Sequence, residues 1–307
     1  MLTCLERNGI KHAASCRSGI CQSCMMKVTT GAVPSKAQQG LKGAYRAQGY
    51  FLACVCEPAE DIAIDDCGAV GSYPARISAV TPCGERVIDV RVEVSANATE
   101  PFTFEAGQFI SLVRADGLTR PYSIANLPGE GVLELHVAVR EHGRMSEWLS
   151  SAVGHEVTVR GPSGECYYQA TSPDQPLLLA ATGTGLAPLL GVLRTAIHRG
   201  HRGPIYIYHA SRTPVGLYKM KELRALAAEH NNVHVVGAVL ESGGEADVRE
   251  QSLQDAVLGD HGKLQGVRIY LCGNPTLVRT LKKKAFLAGA NLQEIHSDPF
   301  VTAPQNA

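Results

Sequence analysis

Cys16, Cys21 and Cys24 stand in a C-x4-C-x2-C run, and Cys54 follows after 29 intervening residues in Phe51-Leu-Ala-Cys54. This is the plant-type spacing for a 2Fe-2S cluster. One loop must wrap the cluster closely enough for three thiolates to reach it, so the residues between are small (Ser18, Gly19, Ser23) and their backbone N–H groups can point at the sulfides. A fourth thiolate then arrives from elsewhere in the chain. A Cys4 zinc site would show paired C-x2-C knuckles instead, and incidental buried thiols need no such spacing. Cys56 competes as fourth ligand, and Cys54 is the one expected.

Three further constellations follow in order. Arg120-Pro-Tyr122-Ser123 comes after an apolar run, with Gly143-Arg-Met145-Ser146 at a helix start beyond it. An aromatic ring can cover an isoalloxazine face, a hydroxyl can reach its reactive nitrogen, and an Arg with a helix N-terminus can hold a pyrophosphate. Alone these four common residues read better as a turn; their placement in a barrel points to a flavin nucleotide. Next, Gly183-Thr184-Gly185-Leu-Ala-Pro188 lies directly after an apolar strand and before a helix, where glycines permit close backbone approach to a phosphate. It is not the six-residue G-x-G-x-x-G fingerprint, but its placement is right. Last, Tyr270-Leu-Cys272-Gly273-Asn-Pro275 closes a late strand, where open α/β sheets place ligands. The eleven histidines are scattered and form no H-E-x-x-H pair, and there is no G-x-S-x-G elbow, so hydrolase chemistry has no support.

The elements that must position these residues fall into three parts, although 307 residues alone suggest about two domains. Residues 1–72 hold most of the ten cysteines and close on Gly71-Ser-Tyr-Pro74, a turn-forming stretch that reads as a linker. Residues 73–171 alternate, with Ile88, Val90, Val92 and Val94 and then Leu133, Leu135, Val137 and Val139 separated mostly by polar residues. Half-buried strands result, and with shorter runs at Phe109–Val113 and Glu156–Arg160 they imply a small antiparallel barrel with a short helix near Met145. Residues 172–307 alternate apolar strands (Leu177–Ala180, Ile205–His209, Val233–Val239, Arg268–Cys272) with helices (Leu186–Arg199, Lys219–His230, Pro275–Leu287), the pattern of a parallel α/β sheet.

Composition bounds the partners. The 29 Lys+Arg balance 29 Asp+Glu, so the basic excess that a nucleic acid would demand is missing. The charge-free run Pro176–Leu193 spans 18 residues, but its glycines and Pro188 make it a strand, turn and helix rather than a membrane span. No signal-peptide pattern opens the chain, so a cytoplasmic location is expected, where cysteines serve as ligands or thiols rather than disulfides.

With the four signals in this order, the chain resembles the ferredoxin-NADP reductase superfamily, specifically reductase components of naphthalene dioxygenase-type oxygenases. The resemblance extends over Leu5–Ile10, Phe104–Gln108, Gly161–Gly164, Leu217-Tyr218 and Ile295–Phe300. It implies an α+β and α/β multidomain fold: a β-grasp ferredoxin domain, a six-stranded antiparallel FAD-binding barrel and a parallel α/β NAD(P)-binding domain. It further implies that Cys16, Cys21, Cys24 and Cys54 hold the cluster, and that Arg120, Tyr122, Ser123, Gly143, Met145 and Ser146 bind FAD. Gly183, Thr184, Gly185 and Pro188 would line the nucleotide site, with Cys272 and Gly273 beside the nicotinamide and Phe300 over the flavin face; Cys272, Ser123 and Phe300 would serve the hydride step. The chain begins about 20 residues too late for the family's first hairpin, so the ferredoxin sheet is expected to be truncated, with an unpaired edge. The implied activity is NAD(P)H-dependent electron transfer through FAD and the 2Fe-2S cluster to an oxygenase or its ferredoxin, in aromatic hydrocarbon catabolism. A flavin or ferric reductase with a defective ferredoxin domain and a non-turnover redox sensor are the alternatives. Glu241, where a carboxylate would repel a 2′-phosphate, favours NADH over NADPH, against Ser211, Arg212 and Lys219, which could bind one.

Overall fold

The computed structural model describes residues 1–10, 12, 14, 16–19, 22–41, 43–65, 72–95, 101–241 and 248–301, so Cys21 and Gly71 lie outside the described residues. Its strands form three sheets.

The first sheet follows α1 (Leu2–Arg7) and comprises β1 (Met25–Thr30), β2 (Tyr50–Leu52) and β3 (Ala63–Asp65), with α2 (Gly43–Ala47) before β2. Both partners run antiparallel to the central β1. Leu2, Met26, Phe51 and Leu52 form its small core.

The second sheet contains β4 (Ser72–Gly84), β5 (Val87–Val94), β6 (Phe109–Val113), β7 (Thr119–Ser123), β8 (Leu133–Ala138) and β9 (Glu156–Ser163), with α3 (Arg144–Leu149) before β9. Its order is β7-β6-β9-β4-β5-β8, antiparallel throughout, and its two ends meet at the bridge Ile124–Leu135. Alternation fills the interior: Ile77, Val90, Val92, Ile110, Leu112, Leu135 and Val159 are fully buried. The Arg120–Ser123 motif is strand rather than turn, and Pro121 is tolerated because β7 is at the sheet's end, where a missing N–H costs no second ladder. Ser72–Pro74, read as a linker, are the first residues of β4, pairing with Thr158–Arg160 of β9.

The third sheet is parallel, in the order β13-β12-β11-β10-β14-β15. Its strands are β10 (Leu177–Thr182), β11 (Ile205–Ser211), β12 (Val233–Val239), β13 (Val248–Glu250), β14 (Arg268–Gly273) and β15 (Ile295–Pro299), and its helices α4 (Leu186–His198), α5 (Met220–Glu229), α6 (Leu253–Asp260) and α7 (Pro275–Leu287). The four strands and three helices expected from periodicity are all present within a residue or two at their ends. Among the described residues, no helix is long and apolar enough to cross a membrane.

One expectation fails informatively. Half-buried strands should turn the polar residues of β5 and β8 to water, yet Asp89, Glu134 and His136 are 5%, 1% and 4% exposed. Helix α4 and the segment leading into α5 cover that outer face: Arg194 donates to Glu134 at 2.8 Å and the Tyr218 hydroxyl meets the His136 ring at 3.0 Å. The barrel is therefore buried on both sides here, with charge pairs instead of apolar contacts on the second.

Candidate functional site

The cluster loop brings the described cysteines together. The Cys24 thiol, hydrogen-bonded to Cys54, lowers Cys54 to about 7 against the opposing effect of burial, with the Gly19 backbone and Cys16 also within reach. The Ser18 N–H points at Cys16 Sγ at 3.4 Å, and Arg17, Gly19 and Gln22 take left-handed conformations that turn the loop inward. Converging thiols with backbone N–H donors beside them suit an iron–sulfur cluster. Cys56 is turned away: it is buried in the apolar core beside Leu2 and Met26, which raises its thiol. In a regular strand residues two apart share a face, so it is the single 3-10 turn Ala53–Val55 that separates Cys54 from Cys56.

On β7, Arg120 and Tyr122 share one face and Ser123 the other. Tyr122 leans on the barrel core, and burial pushes its phenol far up although the Arg120 and Arg140 guanidiniums pull the other way. These two cations, both acting on Tyr122, fit a pyrophosphate, and Arg140, just before α3, was not anticipated. A Cβ on Gly143 would overlap Ser146 Oγ, which accepts from the Arg140 N–H at 3.1 Å and donates to the Gly143 carbonyl at 3.2 Å. Gly143 is thus packed too tightly for a side chain, its N–H donating to the Arg140 carbonyl at 2.9 Å and its carbonyl accepting from the Glu147 N–H at 2.9 Å, while Met145 points into the barrel.

In the third sheet, Gly183–Gly185 form a 3-10 turn between β10 and α4. A Cβ on Gly185 would lie 2.5 Å from the Cys272 backbone, and one on Gly273 (φ +113) would overlap Thr182, whose hydroxyl accepts from the Asn274 N–H at 2.8 Å. The β10 and β14 ends are thereby zipped together, with Thr184 partly exposed between its glycines. Pro188 is buried, its carbonyl towards Gly107 of the barrel rather than the turn's open side. His209, fully buried beside Gly183, is held neutral, burial taking it down to about 4. Cys272 is 1% exposed, its thiol pushed well up by burial and then by the Cys166 thiol at 3.2 Å. The Phe300 N–H donates to the Gly273 carbonyl at 2.7 Å, anchoring the half-buried Phe300 beside the same strand end.

Ser123 and Cys272 meet through a residue that sequence reasoning missed. Asp298, the register partner of Cys272, lies beside Ser123; burial raises its carboxyl to about 6 and the Ser123 hydroxyl holds it from going higher. The charge network beneath was also missed. Burial alone would raise Glu134, but His136 and Arg194 hold it well below the usual carboxylate range. Ligand-type atoms of Asp89, Glu134 and His136 lie within 4.8 Å of one another. Arg91, Arg194 and Lys219 already neutralise them, which makes the cluster an ion-pair network and not a cation site. Lys219 is thus committed here and to Glu222 at 2.9 Å, while Arg212 lies 3.5 Å from Glu241 at the open ends of β11 and β12.

Comparison with known proteins agrees with this three-part layout. Residues 1–59 match the 2Fe-2S iron-sulfur cluster binding domain, 75–168 the oxidoreductase FAD-binding domain and 179–283 the oxidoreductase NAD-binding domain. The ferredoxin--NAD(P)(+) reductase component of the naphthalene 1,2-dioxygenase/salicylate 5-hydroxylase systems of Ralstonia sp. is 31% identical over 98% of this chain and 93% of its own length. That of the naphthalene 1,2-dioxygenase system of Pseudomonas putida is 30% identical with the same coverage. The crystal structure of an Amycolatopsis cytochrome P450 reductase superposes with TM-score 0.73 and 29% identity, covering 99% of this chain and 94% of the other. On sequence and fold together, the chain belongs to the family of ferredoxin–NAD(P)(+) reductase components of naphthalene dioxygenase-type systems.

Proposed function

We propose that this protein is the reductase of a multicomponent oxygenase system, taking electrons from NADH and delivering them to a ferredoxin or to the oxygenase itself. Its domains are read as a β-grasp ferredoxin unit over 1–72, an FAD barrel over 73–171 and a nucleotide-binding unit over 172–307. When bound, FAD accepts a hydride and releases single electrons, which a 2Fe-2S cluster carries one at a time. The chain supplies binding, orientation and exclusion of water. Cys16, Cys21, Cys24 and Cys54 are the cluster ligands in this reading; Arg120, Tyr122, Ser123, Gly143, Met145 and Ser146 hold FAD. Gly183, Thr184, Gly185 and Pro188 shape the turn that receives the nucleotide pyrophosphate, and Cys272, Gly273 and Phe300 border the nicotinamide. Reduced cluster thiolates suit the cytoplasm.

The observation that carries this reading is the meeting of Ser123, from the barrel, with Asp298 beside Cys272, from the parallel sheet. A flavin edge and a nicotinamide have to be juxtaposed across a domain boundary, and the polar groups of both units converge there. The approach of Cys16, Cys24 and Cys54 favours a working cluster over a defective ferredoxin unit. Visible spectra of the purified protein before and after anaerobic NADH, with iron, sulfide and flavin analysis, test the reading. Flavin and cluster bands that bleach are expected; an NADH-inert spectrum or absent iron would overturn it.

A further inference from the structure

Phe109, Ser123 and Ser163 form one cross-strand row over β7, β6 and β9, since Phe109 is the register partner of both serines. Directly paired residues share a face, and strands lie about 4.8 Å apart, so the row spans roughly 10 Å. Its Ser123 end touches Asp298 beside Cys272. At its other end the Ser163 hydroxyl donates to Gln22 Oε1 at 3.3 Å, and Gln22 lies in the cluster loop, where its amide also donates to the Gly40 carbonyl at 3.0 Å. In the middle, Phe109 faces away from the barrel interior that Ile110 and Leu112 fill, and packs instead with Cys16 in an apolar contact separate from every larger core. Phe109 and Cys16 are 8% and 7% exposed. Room for the ring comes from Gly164, where a Cβ would lie 2.9 Å from it, and the Gln108 amide pins the Gly164 carbonyl at 3.2 Å.

We propose that Phe109 is the seat on which the cluster loop docks against the flavin barrel, with the Gln22–Ser163 hydrogen bond fixing the loop's orientation on that seat. The inference rests on the reductase reading and deepens it: Phe109 acts as a positioning residue that sets the separation of flavin and cluster through its contact with Cys16. An aromatic side chain on the outer face of a strand needs a cover, and here the cover is a cluster ligand itself. Shortening the side chain lets the ferredoxin unit part from the barrel, so electrons cross a longer gap while the hydride step, at the other end of the row, is untouched.

The full-length holoprotein tests this with Phe109→Ala, the conservative Phe109→Leu, and Ser163→Ala, which leaves the apolar contact intact. Hydrogen exchange, which needs no turnover, is expected to speed at least tenfold over residues 105–113 and 160–164 in Phe109→Ala, and less in the other two. In rapid mixing with NADH, flavin bleaching should stay within twofold of the parent while cluster reduction slows at least tenfold in Phe109→Ala, with Phe109→Leu restoring most of the rate. Unchanged exchange in those segments, or cluster reduction within twofold of the parent, overturns the docking role. A parent protein whose flavin NADH does not bleach overturns the reductase reading instead, and the exchange comparison still decides whether Phe109 seats the loop.

Discussion

Replacing Glu134 with alanine should loosen the barrel from the parallel sheet, because one buried carboxylate faces four cationic or protonatable groups there. Glu134 is 1% exposed and lies 2.8 Å from Arg194, 2.8 Å from His136, 3.2 Å from Arg91 and 3.8 Å from Lys219. Removing one partner of a buried pair costs about 3–5 kcal/mol, mostly by stranding the other charge. Arg194 would keep Glu222 at 2.6 Å and Arg91 would keep Asp89 at 2.9 Å, which places the loss near the lower end, about 3 kcal/mol. At roughly 2–4 °C per kcal/mol for units of 150–250 residues, the melting temperature should drop by about 6–12 °C. The exposed pair Arg76–Glu93, with side chains 59% and 45% accessible, provides the control, since Arg76→Ala should cost under about 1 kcal/mol. The folded protein holds Glu134 below its ordinary 4.5, so its stabilisation is complete above that pH and fades as the solution is acidified further. Calorimetry of the full chain at pH 7.5 and again in acid should therefore show a gap between parent and variant that narrows at low pH. A Glu134→Ala transition no lower than that of Arg76→Ala at pH 7.5 would refute the reasoning.

Cys54→Ser should abolish normal cluster assembly while Cys56→Ser leaves it near the parental level, because of the two it is Cys54 that bonds Cys24 and lies near Cys16; equal iron and acid-labile sulfide in both variants would remove the assignment. Glu241→Ala should raise the ratio of kcat/KM for NADPH to that for NADH by roughly five- to tenfold, since it removes a repelling carboxylate and releases Arg212; steady-state kinetics showing an unchanged ratio, or a parent that prefers NADPH, would count against it. Asp298→Asn should stabilise the protein at pH 7.5 and not at pH 4. The folded carboxyl titrates near 6 against an ordinary 3.8, so ionisation opposes folding above that range. The gain is on the order of 2 kcal/mol after discounting for its partial exposure, and thermal unfolding at the two pH values checks it.

What the sequence disclosed and what it hid divide along a physical line. Interactions between residues close in the chain leave a pattern: the cysteine spacing, the glycine turn between β10 and α4, and the 3.6- and 2-residue periods of the elements were all legible. Interactions made across domains leave none. Asp89 and Glu134 look like ordinary solvent-facing alternates of β5 and β8, because nothing nearby in the sequence announces that α4 and the segment leading into α5 will cover them. Cys166 carries no motif, and Asp298, although inside the Ile295–Phe300 stretch, has no local signal of its role, since their partners Cys272 and Ser123 lie 106 and 175 positions away. Strands β13 and β15 are short, of 3 and 5 residues, and add themselves to a sheet already specified by longer apolar runs.

The same division explains why glycine carries so much of the site. Helix α4 meets the barrel backbone to backbone: a Cβ on Gly191 would lie 2.6 Å from the Gly107 nitrogen. Gly84 plays the same part on the other side of the boundary, where a Cβ would lie 2.8 Å from Tyr218. At Gly191 and Gly107 the two units meet without an intervening side chain, so the barrel and the parallel sheet approach closely, and Ser123 lies beside Asp298. A flexible interface of long charged side chains could bind two cofactors but could not hold them at one separation. Here the apposed backbones fix that separation, and the buried charges around Glu134, each committed to several partners, resist sliding along it. The hydride step is thus positioned by rigid packing between barrel and sheet, while among the described residues the cluster loop meets the barrel through the Cys16–Phe109 apolar contact and the Gln22–Ser163 hydrogen bond. Between these two junctions, the second is the one whose geometry a single substitution can change.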